Sequence, residues 1–303
     1  MVANIEVVKQ HTLTGHRDCV YTLTGSGVAQ RFFSGAGDGM VVMWDLNNPE
    51  HGELIAKLPN SVYALTYHHA SGQLVAGHNY EGIHLLDWEN KKETGSLQLT
   101  KAAIFDLQQS GDFVYVATGD GTILKVHVAS LTIVARHQAS DKSARTISLN
   151  PVNGDVAVGY SDDSIRIYDP ALQLKQEWKA HGKSVFTVRY TADGHFLLSG
   201  ARDARLKMWD VQAGYAQAAE VVAHMYAINH LDFSPDNKHF VTCSMDKSLK
   251  VWSMGELKLL KVIDRSRHAG HGTSVNKVLW THHHDLLLSA SDDRSISVWN
   301  IIF

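Results

Sequence analysis

Cysteine is almost missing from this 303-residue chain: Cys19 and Cys243 lie far apart, which excludes a disulfide framework and suits a reducing compartment. No run of 18 apolar residues exists, so no membrane-spanning segment is expected. Residues 1–15 contain no apolar stretch of the kind a secretory leader needs. Charge of one sign is lacking too. Charged residues are 19% of the chain, the net charge is −3, and no acidic or basic tail stands out. Electrostatic capture of nucleic acid or of an anionic membrane is therefore disfavoured, and a soluble cytoplasmic protein is the expectation. No long amphipathic helix is visible. Hydrophobic residues make up 44%, enough for a substantial core.

A repeat is present. Four segments, Ser34–Asp45, Ser199–Asp210, Thr242–Ser253 and Ser289–Asn300, share Ser or Thr, then Asp four residues on, then Trp six further. A histidine stands eighteen residues upstream of each. The sets are His16, Ser34, Asp38 and Trp44; His181, Ser199, Asp203 and Trp209; His224, Thr242, Asp246 and Trp252; His271, Ser289, Asp293 and Trp299. Three weaker copies fill the gap. Asp162 and Tyr168 keep the spacing, Asp120 and Val126 keep it without the aromatic, and Glu81 to Leu86 is one residue short. Seven units result, spaced by 40 to 47 residues, the last step being the longest. Within a unit the apolar period is two, as in Leu206 and Met208 about Lys207, which predicts strands. In the fifth unit the four runs are Ser184–Thr191, His195–Ala201, Arg205–Val211 and Tyr215–Val222, with turn residues such as 192–194 between them.

The Gly15-His16 and Gly270-His271 pairs, their Ala180-His181 and Ala223-His224 variants, and the Trp44-Asp45 and Trp209-Asp210 endings resemble the WD-repeat β-propeller family over essentially the whole chain. The resemblance implies an all-β fold: a seven-bladed β-propeller of four-stranded antiparallel blades in one domain, residues 1–303. Because the last unit stops after its third strand, residues 5–12 are expected to supply its outer strand and close the ring. It also implies that each His, Ser/Thr, Asp and Trp set is a buried structural tetrad. Units 2 to 4 lack complete sets and are expected to be held by apolar packing alone.

Several features imitate chemistry. Ser, His and Asp together suggest a hydrolase triad, but the set occurs four times and no nucleophile elbow is present. Residues 35–39, Gly-Ala-Gly-Asp-Gly, look like a phosphate loop, yet they lead into a strand instead of a helix N-terminus. His282-His-His-Asp285 and His68-His69 are the densest of 19 histidines, and both fall in predicted turns, where neighbours seldom converge on one ion. No enzyme activity, cofactor or metal is expected, with an enzyme or small-ligand binder using the central channel as the alternative.

Members of the family commonly bind partners on the face carrying the links into the inner strands. Transferred by alignment, one position per blade, five residues after the histidine, reads Tyr21, Tyr63, Phe105, Arg145, Phe186, Asn229 and Asn276. A second, before the Asp, reads Gly37, Tyr80, Gly119, Ser161, Arg202, Met245 and Asp292. Aromatics and arginine dominate interface energetics, so Tyr21, Tyr63, Tyr80, Phe105, Arg145, Phe186, Arg202 and Met245 are the candidate partner-binding residues. The expectation is a scaffold or adaptor for other proteins, itself monomeric.

Overall fold

The computed structural model describes residues 5–303. Alternating apolar residues bounded by turns form seven four-stranded antiparallel sheets. Blade 1 consists of Val20–Gly25, Arg31–Ala36, Met40–Asp45 and Asn48–Lys57. Blades 2 to 6 repeat that up-and-down order and start at Val62, Ile104, Ala144, Val185 and Ile228. Blade 7 takes Val275–Trp280, Leu287–Ser291 and Ser295–Ile302 from the end of the chain. Its outer strand, Glu6–Thr14, comes from the start, pairing from Glu6↔Ile302 to Thr14↔Ser295. Closure removes the open edge that a three-stranded last blade would expose. Phe303 continues past this strand and stacks on His239 of blade 6, ring centroids 3.7 Å apart.

The core lies between blades. Each of seven apolar clusters joins one adjacent pair, such as Leu23, Phe32 and Trp44 of blade 1 against Leu288, Ile296 and Val298 of blade 7. Outer strands are mostly exposed, while second and third strands are buried. Small residues on the second strands let neighbours approach: a Cβ at Gly35 would lie 2.7 Å from Val62 Cγ1, and one at Gly200 2.7 Å from Ile228 Cγ2. The long sixth-to-seventh connection forms one helical turn, Arg265–His268. Its Asp264 cap accepts from Arg267 N and from Arg267 Nε, each at 2.9 Å, so Asp264 and Arg267 are paired within the loop.

One irregularity recurs in every blade. The pairing between first and second strands slips after the first residue: at Val20/Thr22, Val62/Ala64, Ile104/Asp106, Ala144/Thr146, Val185/Thr187, Ile228/His230 and Val275/Lys277. The skipped residues are Tyr21, Tyr63, Phe105, Arg145, Phe186, Asn229 and Asn276. A β-bulge leaves its extra residue unpaired and re-aims its side chain. Seven bulges therefore turn seven side chains toward the axis at one end of the channel.

Candidate functional site

Each sequence-defined tetrad meets in the fold. In blade 1 the Trp44 indole N–H donates to Ser34 Oγ at 2.8 Å, the hydroxyl donates to His16 Nε2 at 2.7 Å, and His16 Nδ1–H donates to Asp38 at 3.2 Å. The proton assignment follows from the ends of the chain, because an indole can only donate and a carboxylate only accept. Blade 5 repeats it at 2.8, 2.7 and 3.1 Å, blade 6 at 2.9, 2.8 and 2.8 Å, and blade 7 at 2.8 Å throughout. The Asp also accepts from the backbone: Asp38 takes Arg17 N at 2.7 Å and Met40 N at 2.8 Å. Each tetrad thus pins the link entering a blade to the turn between that blade's second and third strands.

The hydroxyls of Ser34, Ser199, Thr242 and Ser289 are 0% exposed and already accept an indole N–H. They cannot reach a substrate, although the Ser-His-Asp distances resemble a triad. Burial lowers the pKa of His16 and His224 against the opposing pull of Asp38 and Asp246. Burial pushes Asp203 up, but His181 and the Gly182 and Arg205 N–H groups outweigh it and hold the carboxyl at about 2.

The seven bulged residues line one cavity of about 350 Å³ at the channel mouth, within the size range of ligand sites. Five form a continuous arc over neighbouring blades. Tyr21 meets Tyr63 edge-on at 4.6 Å, Tyr63 stacks on Phe105 at 5.9 Å, and the Arg145 guanidinium lies 4.0 Å from the Phe105 ring and 4.8 Å from Phe186. Asn229 and Asn276 complete the ring and are held by their own bonds, Asn229 Nδ2 to Val275 O at 2.8 Å and Asn276 Nδ2 to Asp292 at 2.7 Å. All seven are half-buried, with one edge toward the opening. Deeper in the channel stand Asp106, Arg189, His230, Asp232 and Lys277. Asp106 accepts from Ile147 N at 2.7 Å, bridging blades 3 and 4; Asp232 accepts from Trp280 N at 2.9 Å and pairs with Arg189 at 2.7 Å.

The family pattern described as "WD domain, G-beta repeat" matches residues 8–45, 172–210, 217–253 and 263–300, together half of the chain. The chain belongs to the WD-repeat family. The four matched segments are those whose tetrads are complete. This WD-repeat chain is similar to the 66 kDa stress protein of Physarum polycephalum, 26% identical over 301 residues, covering 96% of the chain and 47% of that protein. It is also similar to WD repeat-containing protein 1 of Mus musculus, 30% identical over 161 residues, covering 52% and 26%. Actin-interacting protein 1 of Caenorhabditis elegans is 22% identical over 302 residues, covering 95% and 48%. The chain spans at most about half the length of these relatives. Among the described residues no helix is long and apolar enough to cross a membrane.

Two expectations for this WD-repeat chain need correction. Blades 2 to 4 are not held by apolar packing alone. In blade 4, Ser140 stands at the histidine's place, twenty-two residues before Asp162, and donates to it at 2.8 Å. Arg166 bridges Asp162 and Glu177 at 3.0 and 2.7 Å, while the Tyr160 and Tyr168 hydroxyls bond each other at 2.9 Å. In blade 3, Asp120 has no histidine and accepts instead from Thr118 and Thr100 at 2.6 and 3.0 Å. Polar partners at other positions thus keep these half-buried carboxylates from being left alone, which would be costly.

Blade 2 went furthest. Leu58, Ala76 and Leu86 occupy the His, Ser and Trp places. The register Leu74↔Leu86 and Gly77↔Ile83 puts Tyr80, not Glu81, at the Asp place, so the residue before that place is Asn79. Tyr80 has φ 68° and is 62% exposed, a conformation that is strained for a bulky side chain. Its N–H bonds Ala102 O of blade 3 at 3.0 Å, and its hydroxyl lies near enough to Tyr63 to disfavour that group's ionisation beyond the effect of burial. It therefore stands beside the mouth without lining it. Arg202 and Met245 lie elsewhere, in a depression at the blade 5–6 junction with Met225 and Tyr226, which are 82% and 62% exposed.

The histidine clusters separate. His68 is buried with both nitrogens engaged, by Ser71 Oγ at 2.7 Å and Gly111 O at 2.9 Å. His282 and His284 are exposed in a turn. His78, Glu81 and His84, which spacing alone did not single out, bring ligand-type atoms within 4.8 Å of one another. His78 Nε2 accepts from Asn60 N–H at 3.0 Å. That bond leaves the proton on Nδ1, 2.6 Å from Glu81, so the ring has no lone pair there for an ion.

Proposed function

We propose that the chain is a non-catalytic scaffold that grips a segment of a partner protein across the channel mouth and leads it toward the blade 5–6 depression. The observation that carries this reading is the arc of Tyr21, Tyr63, Phe105, Arg145 and Phe186. These are large residues of the type that anchor interfaces, presented on bulges outside the strand pairing and packed on one another from blade to blade around the mouth. Tyr80, strained and exposed beside the arc, and Arg202 and Met245 in the neighbouring depression extend the surface. Because one similar protein is named actin-interacting protein 1, actin is the partner we would test first. The propeller acts as a cytoplasmic monomer that needs no nucleic acid or membrane.

The test is affinity capture with mass spectrometry and actin co-sedimentation, comparing the wild type with the triple variant Tyr21→Ala, Tyr63→Ala, Phe105→Ala. The variant should keep the wild-type circular dichroism and lose its partners. Unchanged recovery of partners would move the interface to the opposite face or the rim.

A further inference from the structure

Two cations without a carboxylate partner among the described residues narrow what can enter the mouth. Arg145 has aromatic rings 4.0 and 4.8 Å from its guanidinium carbon. With its faces so covered, only the N–H edge is left to bond. No described carboxylate comes within 4.0 Å of Arg145 or Lys277, the two cations lining the cavity. Burial lowers the pKa of both: Arg145 against the pull of Tyr63, Lys277 against that of Asp106 and Asp232, with Arg189 adding to the lowering.

The acids of the channel have acceptor oxygens already engaged, and Asp232 among them is paired with a cation. Asp106 accepts from Leu107 N and Ile147 N, and Asp232 holds Arg189 and Trp280 N. At the rim, Asp292 holds Asn276 and Asp18 accepts from Cys19 N. A guest cation is disfavoured as well, because Arg145 fills the place over Phe105 and Phe186 where it would stack and repels it there. A planar carboxylate matches the free guanidinium edge two bonds at a time, and a short methylene stem would pack on Tyr21 and Tyr63.

We infer that the channel mouth is a socket for a glutamate side chain of the partner segment, its carboxylate held by Arg145 with Lys277 beneath. The inference rests on the scaffold reading above and adds the chemistry of the anchor. A cation left desolvated and unpaired in the free protein gains its counter-ion only in the complex, which turns its burial cost into discrimination between guests.

The test uses the full chain, labelled with nitrogen-15, and a capped hexapeptide Ser-Leu-Glu-Leu-Ser-Gly, with twins carrying Gln, Lys or phosphoserine in place of Glu. The Glu peptide should shift the Arg145 Nε–H resonance saturably, and the Gln and Lys twins should bind at least about tenfold more weakly. Arg145→Lys keeps the charge but loses the fork, and Lys277→Met loses the second cation. Each should weaken the Glu peptide by about tenfold, and having both keeps the test valid if one variant disturbs the mouth. The inference is overturned if the Glu peptide gives no saturable shift, if the Gln or Lys twin binds equally, if neither variant matters, or if the phosphoserine twin alone binds. Loss of partners in the triple alanine variant without any Glu preference would sink the socket and leave the scaffold standing. A clear Glu preference with partner recovery untouched by the triple variant would do the reverse.

Discussion

Replacing Thr242 by Val removes one hydroxyl from blade 6 and keeps the shape. That hydroxyl is 0% exposed and makes two bonds, accepting from the Trp252 indole at 2.9 Å and donating to His224 Nε2 at 2.8 Å. Neither partner can reach water, since Trp252 is 3% and His224 4% exposed. Two buried polar groups are therefore stranded, at about 1–3 kcal/mol each. The variant should lose about 2–6 kcal/mol, a large part of the roughly 5–15 kcal/mol by which a typical domain is stable. Urea titration followed by tryptophan fluorescence measures it. Trp252→Phe on the Thr242→Val background removes one of the stranded groups, so the double variant should lose less than the sum of the singles by about 1 kcal/mol or more. Blade 2 is the natural precedent: with Leu58, Ala76 and Leu86 at the corresponding places, every partner has gone and none is orphaned. A Thr242→Val stability within about 0.5 kcal/mol of wild type, or strict additivity in the double variant, would refute the reasoning.

Two further outcomes are expected. Deleting residues 1–14 leaves blade 7 with three strands and an open edge along Ser295–Ile302; size-exclusion chromatography with light scattering should find aggregates, and a soluble monomer that unfolds cooperatively would count against closure by this strand. Stability should also fall on acidification in two stages. Burial keeps His16 and His224 neutral below their ordinary pKa, so the unfolded chain binds protons first as pH drops through about 6.5. Burial favours protonation of Asp38 and Asp203, but their donors overcome it and hold them below their ordinary values, Asp203 at about 2. A second loss therefore follows from about pH 4 down toward pH 2. Urea midpoints at about pH 7.5, 5.5 and 3.5 check both windows, and a flat profile would contradict the neutral-imidazole tetrads.

The fold was legible because its lock is periodic. His16, Ser34, Asp38 and Trp44 recur at fixed spacing since each must span the same link, turn and pair of strands. The mouth was legible for a related reason: its residues sit at one offset on strands whose apolar pattern persists through blades 2 to 4 even where the histidine has gone. What could not be read is whatever one blade does alone. Glu81 imitates the missing Asp in the sequence while Tyr80 holds that place in the fold, and only strand pairing fixes that turn. Ser140, Thr100 and Thr118 carry no motif as substitutes for a histidine. Asp106, Arg189, Asp232 and Lys277 come from four different blades, so their meeting depends on closure of the ring, which no local spacing reveals.

The bulges have a consequence for how such a protein can change its clientele. Because each mouth side chain is the residue its strand pairing skips, exchanging it removes no ladder bond within its own blade, and what it alters is the contact with its counterparts on the adjoining blades. On the scaffold reading, the guest-facing residues and the ladder-forming residues are thereby separate positions of the same strand, and a library randomised at those seven sites could be screened for new specificities with the strand pairing kept.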